Sequence, residues 1–259
     1  MRVALISDIH GNAYALDAVL ADIQERVVDR LVCLGDAIQG GAQPAATVRR
    51  LRELGCPIIM GNADAWLLSG EETGTEPMTS ELETVRQWSL SQLSADDRAF
   101  IAGFVPTLRV PLTERHALLC FHGSPASFDD ILLPTTPYAT FLDSLHGYDA
   151  RWFAGGHTHL QQVRRVGSGF FCNPGSVGRV YNNELTGGGA QRDPWAEYAI
   201  LTATGDAVSL GFRRVPLATE PLFAILRASG HPFAEEVIRE YESAALAPHT
   251  PESAGDGTP

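Results

Sequence analysis

Short apolar segments alternate with amphipathic segments over the first part of the chain. Residues 2–6 form an apolar run typical of a buried strand, and the segment after it has aliphatic residues at helical spacing. Residues 30–34 repeat the strand pattern. A second helix is predicted from Pro44 to a stop at Gly55, followed by a third strand at 57–60. This alternation predicts parallel strands joined by right-handed crossovers, with helices on both faces of the sheet.

The pattern becomes helical between residues 64 and 104, around a polar segment at 69–77. We predict that this part is a helical lid inserted into the domain. Trp66 and Trp88 are expected to pack within the lid rather than to stack on bases. Asp64 has two interpretations, as the cap of the first lid helix, which we prefer, or as a hydrogen-bond acceptor near the strand ends.

Strand patterns return in the second half, where several are joined by short turns, so that half is predicted to be more antiparallel. They lie at residues 108–112, 116–121, 151–155, 161–166, 197–203 and 207–215. Residues 233–245 are predicted to form an amphipathic helix, and the polar, proline-rich residues 247–259 a disordered tail. We therefore predict one domain over residues 1–246.

Composition narrows the classes of function. A chain of 259 residues with 44% hydrophobic residues is large enough for one domain with a lid. We find no charged leader with an apolar signal core and no apolar run of about 18 residues, so we predict a cytoplasmic protein without a membrane partner. The net charge of −12 argues against a stable nucleic-acid partner, but a small phosphorylated substrate remains possible where metal ions supply positive charge.

The cysteines are widely spaced and lie in or beside apolar runs, without a C-x-x-C pair. Reduced core thiols are therefore favoured over disulfides or a thiolate zinc site. The four residues are Cys33, Cys56, Cys120 and Cys172.

Polar side chains follow five of the predicted strands at the point where each strand ends. They are Asp8, His10, Asp36, Asn62, His122, His157 and His159. Because ligands bind at the carboxyl ends of strands in α/β sheets, we expect these side chains to converge. Donors two residues apart in an extended segment point to one side, which applies to Asp8 with His10 and to His157 with His159. A lone Gly-His-x-His is more often a polar turn than a metal site. The prediction of a metal site therefore rests on the joint occurrence of donors at five strand ends.

The donor set indicates which metal would bind. Two carboxylates, four imidazoles and one amide oxygen suit Mn²⁺, Fe, Zn²⁺, Ni²⁺ or Co²⁺ better than Ca²⁺ or a thiolate-bound zinc. Seven donors divide well between two ions if one carboxylate bridges them. Two ions about 3.5 to 4 Å apart can clamp a phosphoryl group and make hydroxide available near neutral pH.

A known family contains the same ordered series of motifs. Over residues 1–215 the chain resembles the calcineurin-like metallophosphoesterase superfamily, especially its compact prokaryotic members. The five blocks are Asp8-x-His10, Gly35-Asp36, Gly61-Asn62, His122-Gly123 and Gly156-His157-x-His159.

The resemblance implies an α/β fold of four layers, a helix–sheet–sheet–helix sandwich with two mixed sheets. It also implies two divalent metal ions, with Mn²⁺ as the first choice. One ion would be held by Asp8, His10 and His159, the other by Asn62, His122 and His157, with Asp36 bridging them. The segment Asn173-Pro174-Gly175-Ser176 also recurs in the family, and we take it as a structural turn closing against the site.

The predicted activity is that of a dinuclear metal-dependent phosphoesterase. Hydroxide between the ions would attack phosphorus, while Asp36, Asn62 and His122 act at the catalytic centre. Many family members have histidine where this chain has Ala63, and that histidine contacts phosphate and can protonate the leaving group. Its absence favours phosphodiesters over alkyl monoesters. The alternatives are a protein or nucleotide phosphomonoesterase and a non-catalytic metal-binding interaction scaffold. A retromer subunit of similar fold serves as a scaffold with an altered site.

The remaining polar residues are predicted to have structural or surface roles. Asn12 is predicted to cap the helix that follows it. Arg179 and Arg192 flank a glycine-rich loop and are expected to be solvated rather than directed at phosphate. The histidines outside the five blocks are expected to be structural or exposed, namely His116, His146, His231 and His249.

Overall fold

The computed structural model describes residues 1–71, 79–114, 116–181 and 191–246. In these residues two mixed β-sheets pack face to face with helices outside them, as predicted. The strands are β1 (Arg2–Ile6), β2 (Arg30–Cys33), β3 (Leu108–Pro111), β4 (Ala117–Cys120), β5 (Trp152–Ala154), β6 (Gln162–Val166), β7 (Gly169–Asn173), β8 (Trp195–Thr204) and β9 (Ala207–Pro216). The helices are α1 (Ala13–Gln24), α2 (Pro44–Leu54), α3 (Asn62–Ser69), α4 (Ser80–Ser91), α5 (Ala95–Ala102), α6 (Tyr138–Asp143), α7 (Thr219–Ser229) and α8 (Ala234–Leu246).

Strand β1 is buried on both faces, which explains its continuous apolar run. Val3 and Leu5 belong to the core between the two sheets, whereas Ala4 and Ile6 belong to the core under helices α1 and α2. Side chains alternate along a strand, so successive residues serve opposite cores. The outer face of the second sheet is covered in the same way by a third core that contains Phe141 of α6.

The first sheet is mixed rather than parallel. Its strand order is β2-β1-β8-β9, and β1 pairs parallel with β2 but antiparallel with β8. The predicted strand at residues 57–60 is reduced to single bridges of Ile58 with Cys33 and of Ile59 with Val105. The second sheet has the order β3-β4-β5-β7-β6 and joins antiparallel pairs at its edges to parallel pairs at its centre.

Three elements were not predicted: β7, α6 and α7. In the sequence, Pro221 suggests a helix break, and this hid α7. In the structure Pro221 lies in the first turn of the helix, where the missing N–H costs no helical hydrogen bond. Asn12 caps α1 as predicted, since its side chain accepts from Ala15 N. All four cysteines are free, and three of them are buried.

The lid segment contains α3, α4 and α5, and residues 72–78 of its polar stretch lie outside the described residues. The predicted tail, residues 247–259, also lies outside them, as does His249. Helix α3 begins at Asn62 with Gly61 as its N-cap, so the prediction that Asp64 caps this helix is wrong. No helix in the described part of the chain is long and apolar enough to span a bilayer.

Candidate metal centre

The predicted donors lie at strand ends in an unusual backbone conformation. Five of them have φ in the left-handed region: Asp8 at 55°, His10 at 47°, Asp36 at 50°, His157 at 69° and His159 at 57°. Non-glycine residues rarely adopt this conformation, and it persists where the surrounding structure enforces it. The donors do converge, but the expected reason, an extended segment with side chains on one side, is wrong.

Backbone hydrogen bonds join the turn after β1 to the turn after β2. Asp8 N donates to Gly35 O and His10 N donates to Asp36 O, both at 2.9 Å. Gly61 packs directly against the second turn, and a Cβ there would lie 2.0 Å from Asp36 Oδ1. Glycine at this position is therefore required by close packing against Asp36.

The donors form two adjacent groups, each with ligand atoms within 4.8 Å of one another. One group is Asp8, His10 and His159, and the other is Asp36, His122 and His157. Asp36 Oδ2 lies between them, 3.8 Å from His10 Nε2 and 3.4 Å from His122 Nε2.

Asn62 lies beside the second group, with its Oδ1 3.0 Å from His122 Nε2. His157 and His159 thus belong to different groups, although their spacing first suggested one shared point. This division follows the assignment that the family resemblance implied.

Three imidazole rings are oriented by backbone carbonyls. The Nδ1 atoms of His10, His122 and His159 lie 2.8, 2.8 and 2.7 Å from the carbonyl oxygens of Gln39, Leu34 and Arg179, respectively. A carbonyl can only accept, so Nδ1 donates in each ring, and in a neutral ring Nε2 then presents a lone pair. Such second contacts fix the tautomer that a metal ligand requires.

When both rings are neutral with Nδ1 as the donor, the Nε2 lone pairs of the first group face one another. His10 Nε2 and His159 Nε2 are 3.0 Å apart, and Asp8 Oδ1 lies 3.3 Å from His159 Nε2. Asp8 Oδ1 is buried and has no hydrogen-bond partner. Buried acceptors in such a cluster are stabilised by a cation among them, so these residues fit a divalent transition-metal ion.

Electrostatics shift the pKa values of the histidines at the centre in opposite directions. Burial lowers the pKa of His122, but the Asp36 carboxylate outweighs it and raises that pKa to about 9. Burial raises the pKa of Asp36, but His122 and His10 outweigh it and lower that pKa. The pKa of His10 falls to about 3 because of burial and the charge of Arg179, and burial with the charge of His122 lowers the pKa of His157.

Metal uptake by the second group should therefore release a proton. Without metal, His122 is protonated below about pH 9, and a bound ion needs its neutral Nε2. The apparent affinity for Mn²⁺ at this group should rise with pH up to about 9, by about tenfold per pH unit. Calorimetric titration at pH 7 and pH 8, in two buffers of different ionisation enthalpy, measures the proton release. Uptake of both ions without proton release would contradict the assignment.

Hydrogen bonds that involve Asp64 and the segment Asn173–Ser176 fix the turns that hold the donors. Asp64 accepts from Ala37 N and Ile38 N, each at 2.9 Å, and so fixes the loop after Asp36. Burial and the charge of Asp36 raise the pKa of Asp64 to about 7. The second interpretation of Asp64, an acceptor near the site, is the correct one.

The segment Asn173–Ser176 closes against the first turn as predicted. Ser176 Oγ donates to Asp8 O at 2.8 Å, and Asn173 Nδ2 donates to Gly156 O at 2.6 Å. The predicted role of this segment as a structural turn is confirmed.

A cavity of about 530 Å³ lies over the two groups. Its walls include Trp66 of α3, Val85 of α4 and Val237 of α8, so the lid and the C-terminal helices enclose it together. This volume is within the usual range for small-molecule sites. Trp66 is buried in the lid as expected, and it also lines the cavity.

Sequence reasoning missed part of this cavity wall. Arg179 and Arg192 line it, and Arg192 is buried, so the expected solvated loop arginines are wrong. His231 is buried and lines the same wall, whereas His146 is exposed as expected. Tyr181 stacks on the His159 ring at 5.4 Å between centroids. No motif marks these residues, because they follow the last donor block and meet the site through tertiary packing.

The sequence of the chain matches a known protein family. The model of the calcineurin-like phosphoesterase superfamily domain matches residues 1–203. An uncharacterized protein of Methanocaldococcus jannaschii, MJ0912, is 45% identical over 194 residues, which cover 68% of this chain and 76% of that protein.

Two solved structures share the fold. A metallophosphoesterase of Sphaerobacter thermophilus has a TM-score of 0.69 at 24% identity, and the hypothetical protein PH1004 of Pyrococcus horikoshii OT3 has a TM-score of 0.76 at 18% identity. Each comparison covers 93% of this chain and 97% of the other. The family match and the 45% identical relative show that the chain belongs to the calcineurin-like phosphoesterase superfamily.

Proposed function

We propose that this protein is a dinuclear metal-dependent phosphoesterase that hydrolyses phosphodiesters. The observation that carries the proposal is the pair of adjacent donor groups with Asp36 between them. Two sites that share one carboxylate suit two ions held close together, the arrangement used for displacement at phosphorus. Mn²⁺ is our first choice, with Fe, Zn²⁺, Ni²⁺ or Co²⁺ as the other ions that suit imidazole and carboxylate donors.

Bound ions would polarise the phosphoryl oxygens and lower the pKa of a water molecule to near neutrality. The residues of the chain set the conditions for that chemistry. Asp36 is held by Ala63 N, which donates to its Oδ1 at 2.8 Å, and so stays between the two groups. Asn62 lines the cavity, and its Oδ1 lies 3.0 Å from Nε2 of the buried His122. We assign both residues to stabilising the negative charge that develops on the phosphoryl oxygens.

The preference for diesters rests on Ala63. This residue lines the cavity one position after Asn62, and its methyl group cannot donate a proton or bind phosphate. A positioned general acid contributes roughly 10² to 10⁴ in rate. Esters with good leaving groups need that contribution least, so they should be the best substrates.

Two alternatives remain as rivals. A phosphomonoesterase would use the same two groups, with the lid cavity selecting the monoester. A non-catalytic scaffold would need neither a full donor set nor a cavity above it. The buried acceptors of Asp8, His10 and His159 support metal binding, because they are stabilised when an ion is bound, and the complete donor set with a cavity above it favours catalysis over a scaffold. We further propose a cytoplasmic protein that acts on a small phosphorylated substrate.

Hydrolysis assays test the proposal directly. Purified protein supplied with Mn²⁺ should hydrolyse bis-p-nitrophenyl phosphate faster than p-nitrophenyl phosphate. The same panel should include cyclic nucleotides and dinucleoside polyphosphates, each with several metal ions. Faster hydrolysis of the monoester would favour the phosphatase alternative, and no hydrolysis with any metal would favour the scaffold.

A further inference from the structure

Two nitrogen donors on one wall of the cavity lack hydrogen-bond acceptors, and a third basic side chain lies beside them. The two donors are Arg179 Nε and His231 Nε2, which are both buried, and the third side chain is Arg192, whose Nε faces the Glu240 carboxylate. The three side chains line the cavity over the candidate metal centre. Buried polar atoms in folded proteins nearly always have a partner, so two unpaired donors on one wall indicate a ligand that accepts hydrogen bonds.

A backbone hydrogen bond to Nδ1 of His231 makes its Nε2 the donor at this wall. Its Nδ1 accepts from Phe233 N at 3.2 Å, so in the neutral ring the proton resides on Nε2. Burial and the charges of Arg179 and Arg192 lower its pKa to about 4, which keeps the ring neutral near pH 7. The side chain is only 6% exposed, and its ring packs edge-on against Trp88.

The wall adjoins the first donor group. His159 is held through its Nδ1 by the Arg179 carbonyl, and the Arg179 Nη2 donates to Gly40 O at 3.0 Å. Arg192 lies 5.9 Å from the ring of Tyr181, which itself stacks on His159. A ligand that reaches from the metal centre to this wall would thus cross one short stretch of the cavity.

The wall contains two guanidinium groups, those of Arg179 and Arg192. Arg192 contacts the Glu240 carboxylate, and no other carboxylate of the described residues lies within ion-pair distance of Arg192. Glu236 also lines the cavity near His231, whereas Glu71 and Glu81 line other parts of it. Guanidinium groups bind phosphate oxygens well because their N–H groups match the geometry of the anion.

We propose that Arg179, Arg192 and His231 form a subsite for a second phosphate group of the substrate, separate from the phosphorus that is attacked. The proposal rests on the proposed phosphoesterase function and names its substrate class: compounds with two phosphate groups. His231 lies beyond residue 203, where the family match ends. This part of the specificity therefore comes from the connection between α7 and α8.

Binding of phosphonates to the metal-loaded full-length protein tests the subsite without hydrolysis. The probes are methylphosphonate and bisphosphonates whose phosphorus atoms are joined by one, two or three methylene groups. Calorimetry gives the gain in affinity from the second phosphonate. The native protein should bind the bisphosphonate of the best spacing about tenfold or more tightly than methylphosphonate. That increase in affinity is the size expected for hydrogen bonds to a charged group.

Two variants remove the donors separately. Arg179→Gln removes one guanidinium, and His231→Phe keeps an aromatic ring against Trp88 while removing the N–H. Either folded variant should lose most of the gain. Arg227→Gln is the matched control, since Arg227 is exposed on α7 and pairs with Glu235.

The native protein alone can overturn the proposal, if no bisphosphonate binds more tightly than methylphosphonate at any spacing of its phosphorus atoms. A gain that survives both substitutions, or that Arg227→Gln also removes, would overturn it too. Hydrolysis of bis-p-nitrophenyl phosphate by the same preparation tests the proposed function separately, so the two failures can be told apart.

Discussion

His122→Ala should reduce phosphodiester hydrolysis by about 10² to 10³-fold or more, the cost of removing a preorganised group that stabilises the transition state. His122 is fully buried, and its ring is fixed by Leu34 O and Asp36 at once. Alanine leaves the second ion with one imidazole, one amide oxygen and the carboxylate of Asp36, so we expect weaker metal binding there. The measurement is kcat/KM for bis-p-nitrophenyl phosphate with Mn²⁺.

The matched control is His116→Ala. His116 precedes β4 and packs edge-on against Trp152, whereas His122 follows the same strand and faces the centre. We expect the control to keep its activity within about twofold, since surface or peripheral substitutions usually change little. Asp36→Asn should lose at least as much activity as His122→Ala. Parental rates in both folded site variants would show that the assigned centre is not the catalytic one.

Ala63→His should raise phosphomonoesterase activity relative to diesterase activity by at least about tenfold, within the range that a general acid contributes. Ala63 lies in the first turn of α3 and lines the cavity, so an imidazole there can project toward the phosphoryl group. The backbone N–H of residue 63 is unchanged, and its hydrogen bond to Asp36 Oδ1 should persist. The ratio of kcat/KM for p-nitrophenyl phosphate and its bis ester reports the change.

A second alanine of α3 controls for the added histidine. Ala65 is half-buried in the same helix, and the residues that line the described cavity do not include it. Ala65→His should therefore leave the substrate ratio unaltered. An equal ratio in the Ala63→His protein and its parent would refute the leaving-group argument while leaving the metal assignment intact.

The elements that formed a clear local pattern were predictable. Strand β1 has the expected bounds because it is buried on both faces, and helix α1 follows its predicted cap Asn12 because it buries a single stripe of apolar residues. Strand β7 was missed because it runs straight into the turn that begins at Pro174. The family resemblance implied that the first sheet is mixed, but the local pattern predicted only parallel strands, since the antiparallel pairing depends on β8 returning beside β1 from the far end of the chain.

The donors themselves were predictable from strand-end position, but their geometry was not. The left-handed turns at Asp8 and Asp36 depend on hydrogen bonds between two loops that are distant in sequence. The role of Asp64 depends on the same loops, because its acceptors bind Ala37 N and Ile38 N. The cavity wall with His231 was hidden for a further reason: a single histidine between two helices has no local pattern.

The number of transition-metal ions bound per chain tests the central claim most directly. Protein loaded with Mn²⁺ and freed of excess metal should contain close to two equivalents by elemental analysis. His10→Ala removes one imidazole of the first group and should leave close to one equivalent at the group of Asp36, His122 and His157. One equivalent or none in the native protein, or two in the His10→Ala protein, would contradict a dinuclear centre at these residues.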